Sequence, residues 1–305
     1  MSARRSRFAL ATAVALLGAC LSIDTFFFAA RRVDGYRFDE ADPEMDGDLS
    51  SPHPSIVPPE LREEGFVTSD EGDTIHWVLA RRPEAARGTV LFSHGNGPHL
   101  GRFWDRAELL WQLGFQVLLY DYPGFGRSSG SPSESGMYAA ARATFAMLAS
   151  RPDVDPTRLV LYGHSLGGAP TFELAARVRA AALGPRPAAV VGENVWCSMQ
   201  EMIADGAFLD LPRELLSDLR FDNCAALASL RGARVLLLHG DRDRIVTLRQ
   251  LELLVASAAE PPEVHVVSGA GHVDVAIYGG VGSGATAAAP VASPDYAAWL
   301  TALTP

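Results

Sequence analysis

The sequence predicts an α/β protein whose mostly parallel sheet is covered by helices on both faces. Short apolar runs recur along the chain, as expected for strands that are buried on both faces. Stretches with helical spacing lie between these runs, and this alternation is typical of a parallel sheet. The 305 residues, 48% of them hydrophobic, can bury the core of one large α/β domain or of two small ones.

Eight strands and five longer helices are predicted in order along the chain. The first two strands form a β-hairpin around a turn at 69–73. The predicted strands cover residues 66–68, 74–79, 89–93, 115–120, 159–162, 188–192, 235–238 and 264–267. The predicted helices cover residues 103–113, 133–149, 166–182, 248–258 and, as a closing helix, 295–303.

Two stretches interrupt the alternation of strands and helices. Residues 195–232 lie between two predicted core strands and hold one or two short helices, so we expect a small helical lid over the carboxyl edge of the sheet. Residues 279–291 are almost entirely Gly, Ala, Val, Ser and Thr, which predicts a flexible loop.

The charged and metal-binding residues of the chain exclude several classes of function. The formal net charge of −10 argues against a nucleic-acid partner and gives no attraction to anionic lipid. All 26 basic residues are Arg, which excludes Schiff-base chemistry, a Ser–Lys dyad and a Walker A lysine. No Cys-x-x-Cys and no Cys/His cluster with zinc spacing occurs, so we expect neither a metal nor an organic cofactor.

Residues 1–24 are typical of a signal peptide or a membrane anchor. Three arginines precede the uncharged run 8–23, which is shorter than the ~20 residues that span a bilayer. Residues 17–20 read Leu-Gly-Ala-Cys and resemble a bacterial lipobox, whose cysteine (here Cys20) is lipidated after cleavage. A lipoprotein, an uncleaved anchor and a cleaved signal peptide stay open. Each of them places the domain outside the cytoplasm. The first two hold the N-terminus at a membrane of the cell envelope, and the third leaves a soluble protein that could be secreted.

Residues 25–63 are rich in acidic residues and proline, and we expect them to form an exposed linker, or a loosely held lead-in to the first strand, before a domain at 64–305. The folded domain would contain only two cysteines, Cys197 and Cys224. In an oxidising compartment they could pair as a disulfide. Alternatively, they are two small buried hydrophobic side chains.

Residues 163–167 read Gly-His-Ser-Leu-Gly and follow an apolar run, at the point where a predicted strand turns into a predicted helix. Such a turn lifts the Ser165 hydroxyl off the sheet, and side chains at the two glycine positions would collide there. The bare pattern is weak, because Gly and Ser are common in this chain. The strand-to-helix context is what favours a nucleophilic serine.

A nucleophilic serine needs a base, and the base needs a carboxylate that orients it. His272 ends a compact Gly-x-Gly-His turn after the last predicted strand, and Asp241 and Asp243 follow the strand before it. The carboxyl ends of parallel strands meet at one edge of a sheet, so Ser165, His272 and one of these aspartates can meet there. The order Ser…Asp…His along the chain is that of the α/β-hydrolases.

Five motifs together resemble the α/β-hydrolase superfamily, and most of all its serine aminopeptidase-like esterase and lipase branch. They lie at residues 93–97, 121–128, 163–167, 239–243 and 271–272. The resemblance covers about residues 64–278 and implies an eight-stranded, mostly parallel α/β-hydrolase sheet. It also favours Asp243 over Asp241 as the acid of the triad. The Gly/Ala-rich stretch after Ile277 departs from the family, which usually proceeds quickly to its last helix.

The sequence thus predicts a serine hydrolase that cleaves an ester, thioester or amide of a small or acylated substrate through an acyl-enzyme at Ser165. The backbone N–H groups of Leu166 and Asn96 are expected to bind the oxyanion, and Gly95 and Gly97 keep the second loop open. An aminopeptidase or an acyltransferase with the same triad is one alternative. A hydrolase-fold protein that binds ligands or partners without turnover is another.

Overall fold

The computed structural model of the chain describes residues 27–40, 49, 53–82, 86–181, 183–206, 219–279 and 290–304. Its strands are β1 (Arg62–Thr68), β2 (Thr74–Ala80), β3 (Thr89–Ser93), β4 (Gln116–Tyr120), β5 (Leu159–His164), β6 (Ala189–Glu193), β7 (Val235–Gly240) and β8 (Glu263–Val267). They form one sheet in the order β1-β2-β4-β3-β5-β6-β7-β8. β2 pairs antiparallel with β1 and with β4, and every other neighbouring pair is parallel. The predicted eight-stranded, mostly parallel sheet is therefore confirmed.

Helices cover both faces of this sheet, as predicted. They are α1 (Trp104–Gln112), α2 (Glu134–Ala149), α3 (Gly168–Ala181), α4 (Met199–Ala204), α5 (Asn223–Ser229), α6 (Leu248–Ser257) and α7 (Pro294–Thr301). α2, α3 and α6 contribute to the core on one face, whereas α1 and α7 contribute to the core on the other. Side chains before the helices close their first turns: Ser133, for example, accepts a hydrogen bond from the N–H of Gly136 at 3.0 Å.

The sheet separates two hydrophobic cores, because successive residues of a strand point to opposite faces. On β5, Leu159 and Leu161 belong to one core, and Val160 and Tyr162 belong to the other. Burial on both faces is why the central strands read as continuous apolar runs rather than as alternating ones.

The two stretches that interrupt the alternation are described only in part. Residues 195–232 contain the short helices α4 and α5, and residues 207–218 lie outside the described residues. Most of the loop that we expected to be flexible, residues 280–289, also lies outside them. The predicted closing helix is present as α7.

We expected residues 25–63 to be exposed or loosely held. The described part of this stretch instead packs against the domain. Residues 27–36, which we call the N-terminal strap, run along the domain. The N–H of Arg31 donates to the carbonyl of Pro98 at 3.0 Å, and the N–H of Val33 donates to that of Gly126 at 3.1 Å. Val57 is fully buried. Backbone hydrogen bonds and the burial of Val57 thus hold parts of residues 25–63 against the domain, although the composition of this stretch predicts exposure.

The predicted signal peptide or anchor, residues 1–24, lies outside the described residues. In the part of the chain that the structure does describe, no helix is both long enough and apolar enough to cross a membrane.

Cys197 and Cys224 form a disulfide that joins the chain before α4 to α5. The sequence left open a disulfide or two separate buried cysteines, and the structure contains the disulfide. The N–H of Cys224 also donates to the carbonyl of Cys197 at 3.0 Å. The bond therefore fixes the two ends of the lid segment to one another.

We expect reduction of this disulfide to destabilise the domain. The bond spans 27 residues, and in the chain-entropy model a loop of that size restricts the unfolded chain by about 3–4 kcal/mol. Urea unfolding of the wild type with and without dithiothreitol measures the change. A Cys197→Ala/Cys224→Ala double variant is the control, since its stability should not respond to the reductant. An equal response of both proteins would contradict the expectation.

Candidate active site

The turn after β5 places Ser165 at the carboxyl edge of the sheet. Ser165 has a left-handed backbone, with φ of 53°, which costs energy for a residue with a side chain. A Cβ at Gly163 would collide with the carbonyl of Gly167, and a Cβ at Gly167 would collide with the carbonyl of Ser93. Both glycines are therefore required by the close backbone contacts that hold the serine in this conformation.

The structure brings Ser165, His272 and Asp243 into one hydrogen-bonded line. His272 Nε2 lies 2.9 Å from Ser165 Oγ, and His272 Nδ1 lies 2.7 Å from Asp243 Oδ2. The other carboxylate oxygen of Asp243 accepts hydrogen bonds from the N–H groups of Ile245 at 2.8 Å and Val246 at 2.9 Å. These two backbone donors orient the carboxylate toward the imidazole.

Asp241 has a different role in the described structure. Its carboxylate accepts from the N–H of Gly269 at 2.7 Å and from the hydroxyl of Ser268 at 3.0 Å. It thereby ties the loop after β7 to the turn after β8, at a distance from the imidazole. Of the two aspartates that the sequence left in competition, Asp243 is the one that contacts His272.

The loop after β3 lies beside Ser165 and is held by the strap. Asn96 lines the same pocket as Ser165. Its side-chain N–H donates to the carbonyl of Phe27 at 2.6 Å, and its side-chain oxygen accepts from the N–H of Ala29 at 2.8 Å. The amide side chain of Asn96 therefore binds the strap and holds this loop beside the serine.

A cavity of about 480 Å³ opens next to the serine, within the range of small-molecule sites. Its walls are mostly apolar, with side chains from the strap, the lid segment and two loops. They include Phe27, Phe103, Trp196, Met199, Met202 and Ile245. The pocket is therefore largely apolar and reaches the hydroxyl of Ser165.

Two buried histidines near the site are held neutral. Burial lowers the pKa of His94 to about 4. Burial, together with the nearby Arg106 guanidinium, lowers the pKa of His164 well below its ordinary value. Enclosed rings with lowered pKa values are weak bases, which agrees with the structural role that their positions beside backbone motifs indicate.

We expect these two histidines to make the protein acid-sensitive. In the unfolded chain both protonate near pH 6.5, whereas in the native state they resist protonation. Below pH 6.5 the unfolded state therefore binds more protons, and stability falls as the pH drops toward about 4. Urea unfolding at intervals from pH 7.5 to 4.5 measures this loss. A free energy of unfolding that stays constant between pH 6.5 and 5 would contradict it.

No three His, Cys, Asp or Glu side chains in the described residues are grouped in a way that could hold a metal ion.

Comparison with known proteins identifies the family. The model of the family described as "Serine aminopeptidase, S33" matches residues 84–186. The Mycobacterium tuberculosis protein Rv2307c is 36% identical over 224 residues, which is 73% of this chain and 76% of the relative. Human alpha/beta hydrolase domain-containing protein 17B, another relative, is 32% identical over 218 residues, which is 71% of each chain. The chain belongs to the α/β-hydrolase superfamily.

Solved structures of α/β-hydrolases agree with this fold. The Pyrococcus furiosus esterase Pf2001 superimposes with a TM-score of 0.58 at 17% identity, covering 81% of this chain and 94% of the esterase. An alpha-beta hydrolase from Vibrio vulnificus gives a TM-score of 0.57 at 19% identity, covering 70% of this chain and 76% of that one. At such low identity the similarity shows the fold alone.

Sequence reasoning missed several buried polar residues of this hydrolase. Arg106, on α1, pairs with Glu193 at 2.8 Å and donates to the carbonyl of Val273 at 2.8 Å. Asn194, directly after β6, contacts the His272 loop. The only signal in the sequence was the polar pair Glu193-Asn194 at the end of a predicted core strand. Ser165, Asp243 and His272 also follow strands in this way.

Proposed function

We propose that this α/β-hydrolase is a serine hydrolase that cleaves an ester, thioester or amide through an acyl-enzyme at Ser165. The observation that carries the proposal is the line Ser165 Oγ–His272–Asp243, with contacts of 2.9 and 2.7 Å. Both distances lie within hydrogen-bond reach for a nucleophile, its base and the group that orients the base.

In the proposed reaction, Ser165 Oγ attacks the carbonyl carbon of the substrate while His272 Nε2 takes the hydroxyl proton. The leaving group departs with that proton, and the acyl group stays on Ser165. Water, deprotonated by His272, then attacks the ester and releases the acid, and Ser165 recovers its proton. Asp243 stabilises the imidazolium that forms in each step.

The oxyanion of the tetrahedral intermediate would be bound by the backbone N–H groups of Leu166 and Asn96. Leu166 directly follows the nucleophile, at the start of the helical segment that leads into α3. Asn96 lines the pocket beside Ser165 and its loop is held by the strap. One such donor typically contributes about 3 kcal/mol to lowering the barrier.

The apolar cavity supports an acylated substrate. A panel of p-nitrophenyl esters from acetate to palmitate tests this, with kcat/KM measured for each acyl length. Aminoacyl p-nitroanilides in the same assay test the aminopeptidase alternative. We expect turnover of the esters, and hydrolysis of the anilides alone would reassign the substrate class.

A fluorophosphonate probe tests whether the serine is activated at all. Trypsin should release the labelled peptide 159–177, in which Ser165 is the only serine. A Ser229→Ala variant is the matched control, since Ser229 is an exposed serine on α5 whose hydroxyl bonds only within its own helix. An unlabelled wild type that still binds an acyl ligand would favour the non-catalytic binding protein.

We also propose that the protein acts in the cell envelope. The arginine-flanked apolar run 8–23 and the Cys197–Cys224 disulfide support export, because disulfides persist in oxidising compartments. Mass spectrometry of the protein from host membranes distinguishes the three routes. Acylated Cys20 at the N-terminus means a lipoprotein, an intact Met1 means an uncleaved anchor, and cleavage beyond Cys20 means a signal peptide. A mature protein recovered only from the cytoplasm would overturn the proposal.

A further inference from the structure

We propose that Asn194 is a positioning residue that fixes the Asp243 loop and the His272 loop to one another. This inference rests on the proposed function. β6 lies between β5, which ends at the nucleophile, and β7, which leads to the acid. Asn194 follows β6 directly, so it stands at the carboxyl edge between the strands that supply the reacting groups.

The side-chain amide of Asn194 bonds to both loops at once. Its oxygen accepts from the N–H of Gly240, at the end of β7, at 3.0 Å. Its nitrogen donates to the carbonyl of His272 at 2.6 Å and to that of Gly271 at 3.2 Å. Only Asn and Gln offer an acceptor and two donors on one planar group, so an amide is the natural choice for this bridge.

The local backbone also favours asparagine here. Asn194 has φ of 49°, in the left-handed region that Asn tolerates better than most residues with a side chain. It is fully buried, and its own N–H donates to the carbonyl of Leu238 at 2.9 Å. It is absent from the residues that line the substrate pocket. Its contribution therefore passes through the two loops rather than through a contact with substrate.

Close backbone packing makes this bridge effective. A Cβ at Gly240 would collide with the carbonyls of Ala270 and Gly271, so the two loops touch directly at this point. The N–H of Arg242 donates to the carbonyl of Ala270 at 2.8 Å. With the bond from Arg106 to the carbonyl of Val273, hydrogen bonds hold the backbone on both sides of His272.

Loss of the bridge should therefore lower kcat and leave KM unchanged. Small errors in the placement of a catalytic group cost about 10²-fold in rate. We expect Asn194→Gly, which accepts the left-handed backbone and removes all three side-chain bonds, to lower kcat about 10- to 100-fold. Asn194→Asp keeps the acceptor for Gly240 but turns an oxygen toward two carbonyls, so it should also lower kcat. This second variant keeps the shape of the side chain, should the glycine variant not fold.

Asn223→Gly is the matched control. Asn223 is also a buried asparagine whose side-chain N–H donates to a backbone carbonyl, that of Trp196 at 2.8 Å, but it bonds to neither loop of the site. If the loss of any buried amide slowed the enzyme, this variant would lose kcat as Asn194→Gly does. We expect it to lose stability and keep the kcat of the wild type, whereas any effect that passes through Trp196, which lines the pocket, would appear in KM.

Proton NMR supplies a readout that needs no turnover. The imidazole N–H that bonds to a carboxylate gives a strongly downfield resonance, and that of His272 should shift or broaden in Asn194→Gly and persist in Asn223→Gly. A wild type that is not labelled by fluorophosphonate, together with this shift, would overturn the proposed function and leave the positioning role standing. An active Asn194→Gly variant with the wild-type kcat and an unchanged resonance would overturn the positioning role.

Discussion

Replacement of Ser165 by Ala should abolish ester hydrolysis and fluorophosphonate labelling while leaving the fold intact. The expected loss in kcat is about 10⁶-fold, the size seen when the serine of a Ser–His–Asp triad is removed. The hydroxyl of Ser165 bonds to His272 in the described structure, so its loss removes the nucleophile and little packing. Alanine keeps the Cβ of serine, so the strain of the left-handed backbone at this position stays the same.

Stopped-flow and steady-state assays with p-nitrophenyl esters measure this loss, and circular dichroism with thermal melting reports on the fold. The Ser229→Ala variant should keep both activity and melting temperature. Retained turnover in a folded, freshly purified Ser165→Ala protein would contradict the assignment of the nucleophile. If the variant unfolds, the fluorophosphonate label on peptide 159–177 of the wild type tests the assignment of the nucleophile instead.

Asp243→Asn should lower kcat about 10⁴-fold, as the same change does in a serine protease. The amide can still accept from the N–H groups of Ile245 and Val246, so the loop should keep its geometry. Its nitrogen, however, would face His272 Nδ1 and favour the wrong tautomer of the ring. A neutral amide also fails to stabilise the imidazolium.

Asp241→Asn is the control for that change, because Asp241 bonds to Ser268 and Gly269 and stays away from the imidazole. We expect a modest loss of stability and near-normal kcat. If Asp241→Asn were the inactive variant and Asp243→Asn the active one, the acid would be Asp241. Measurement of kcat for both variants with a single ester decides between them.

The parts of the fold and site that could be predicted from the sequence share one property: each follows directly from a local pattern. The central strands are apolar on both faces, so their positions are visible as uninterrupted runs. Ser165, Asp243 and His272 each follow a predicted strand, and parallel strands bring their ends together. The structure joins these three side chains accordingly.

Asn194 also follows a strand, yet its role could not be predicted. Asparagine carries no distinctive chemistry, and its bonds reach Gly240 and His272, which lie 46 and 78 positions away. Their geometry exists only once three loops have packed. The contacts of the strap escaped prediction for a similar reason, since Asn96 and Phe27 are 69 positions apart.

The disulfide between Cys197 and Cys224 makes the intervening chain a closed covalent ring. A protease that cuts at Arg213, inside this ring, would break the backbone without releasing a fragment. The nicked molecule would migrate as one species on a gel without reductant and as two after reduction. Ser165 would then sit on one polypeptide and both Asp243 and His272 on the other. The sulfur–sulfur bond would become the only covalent connection between the nucleophile and its base.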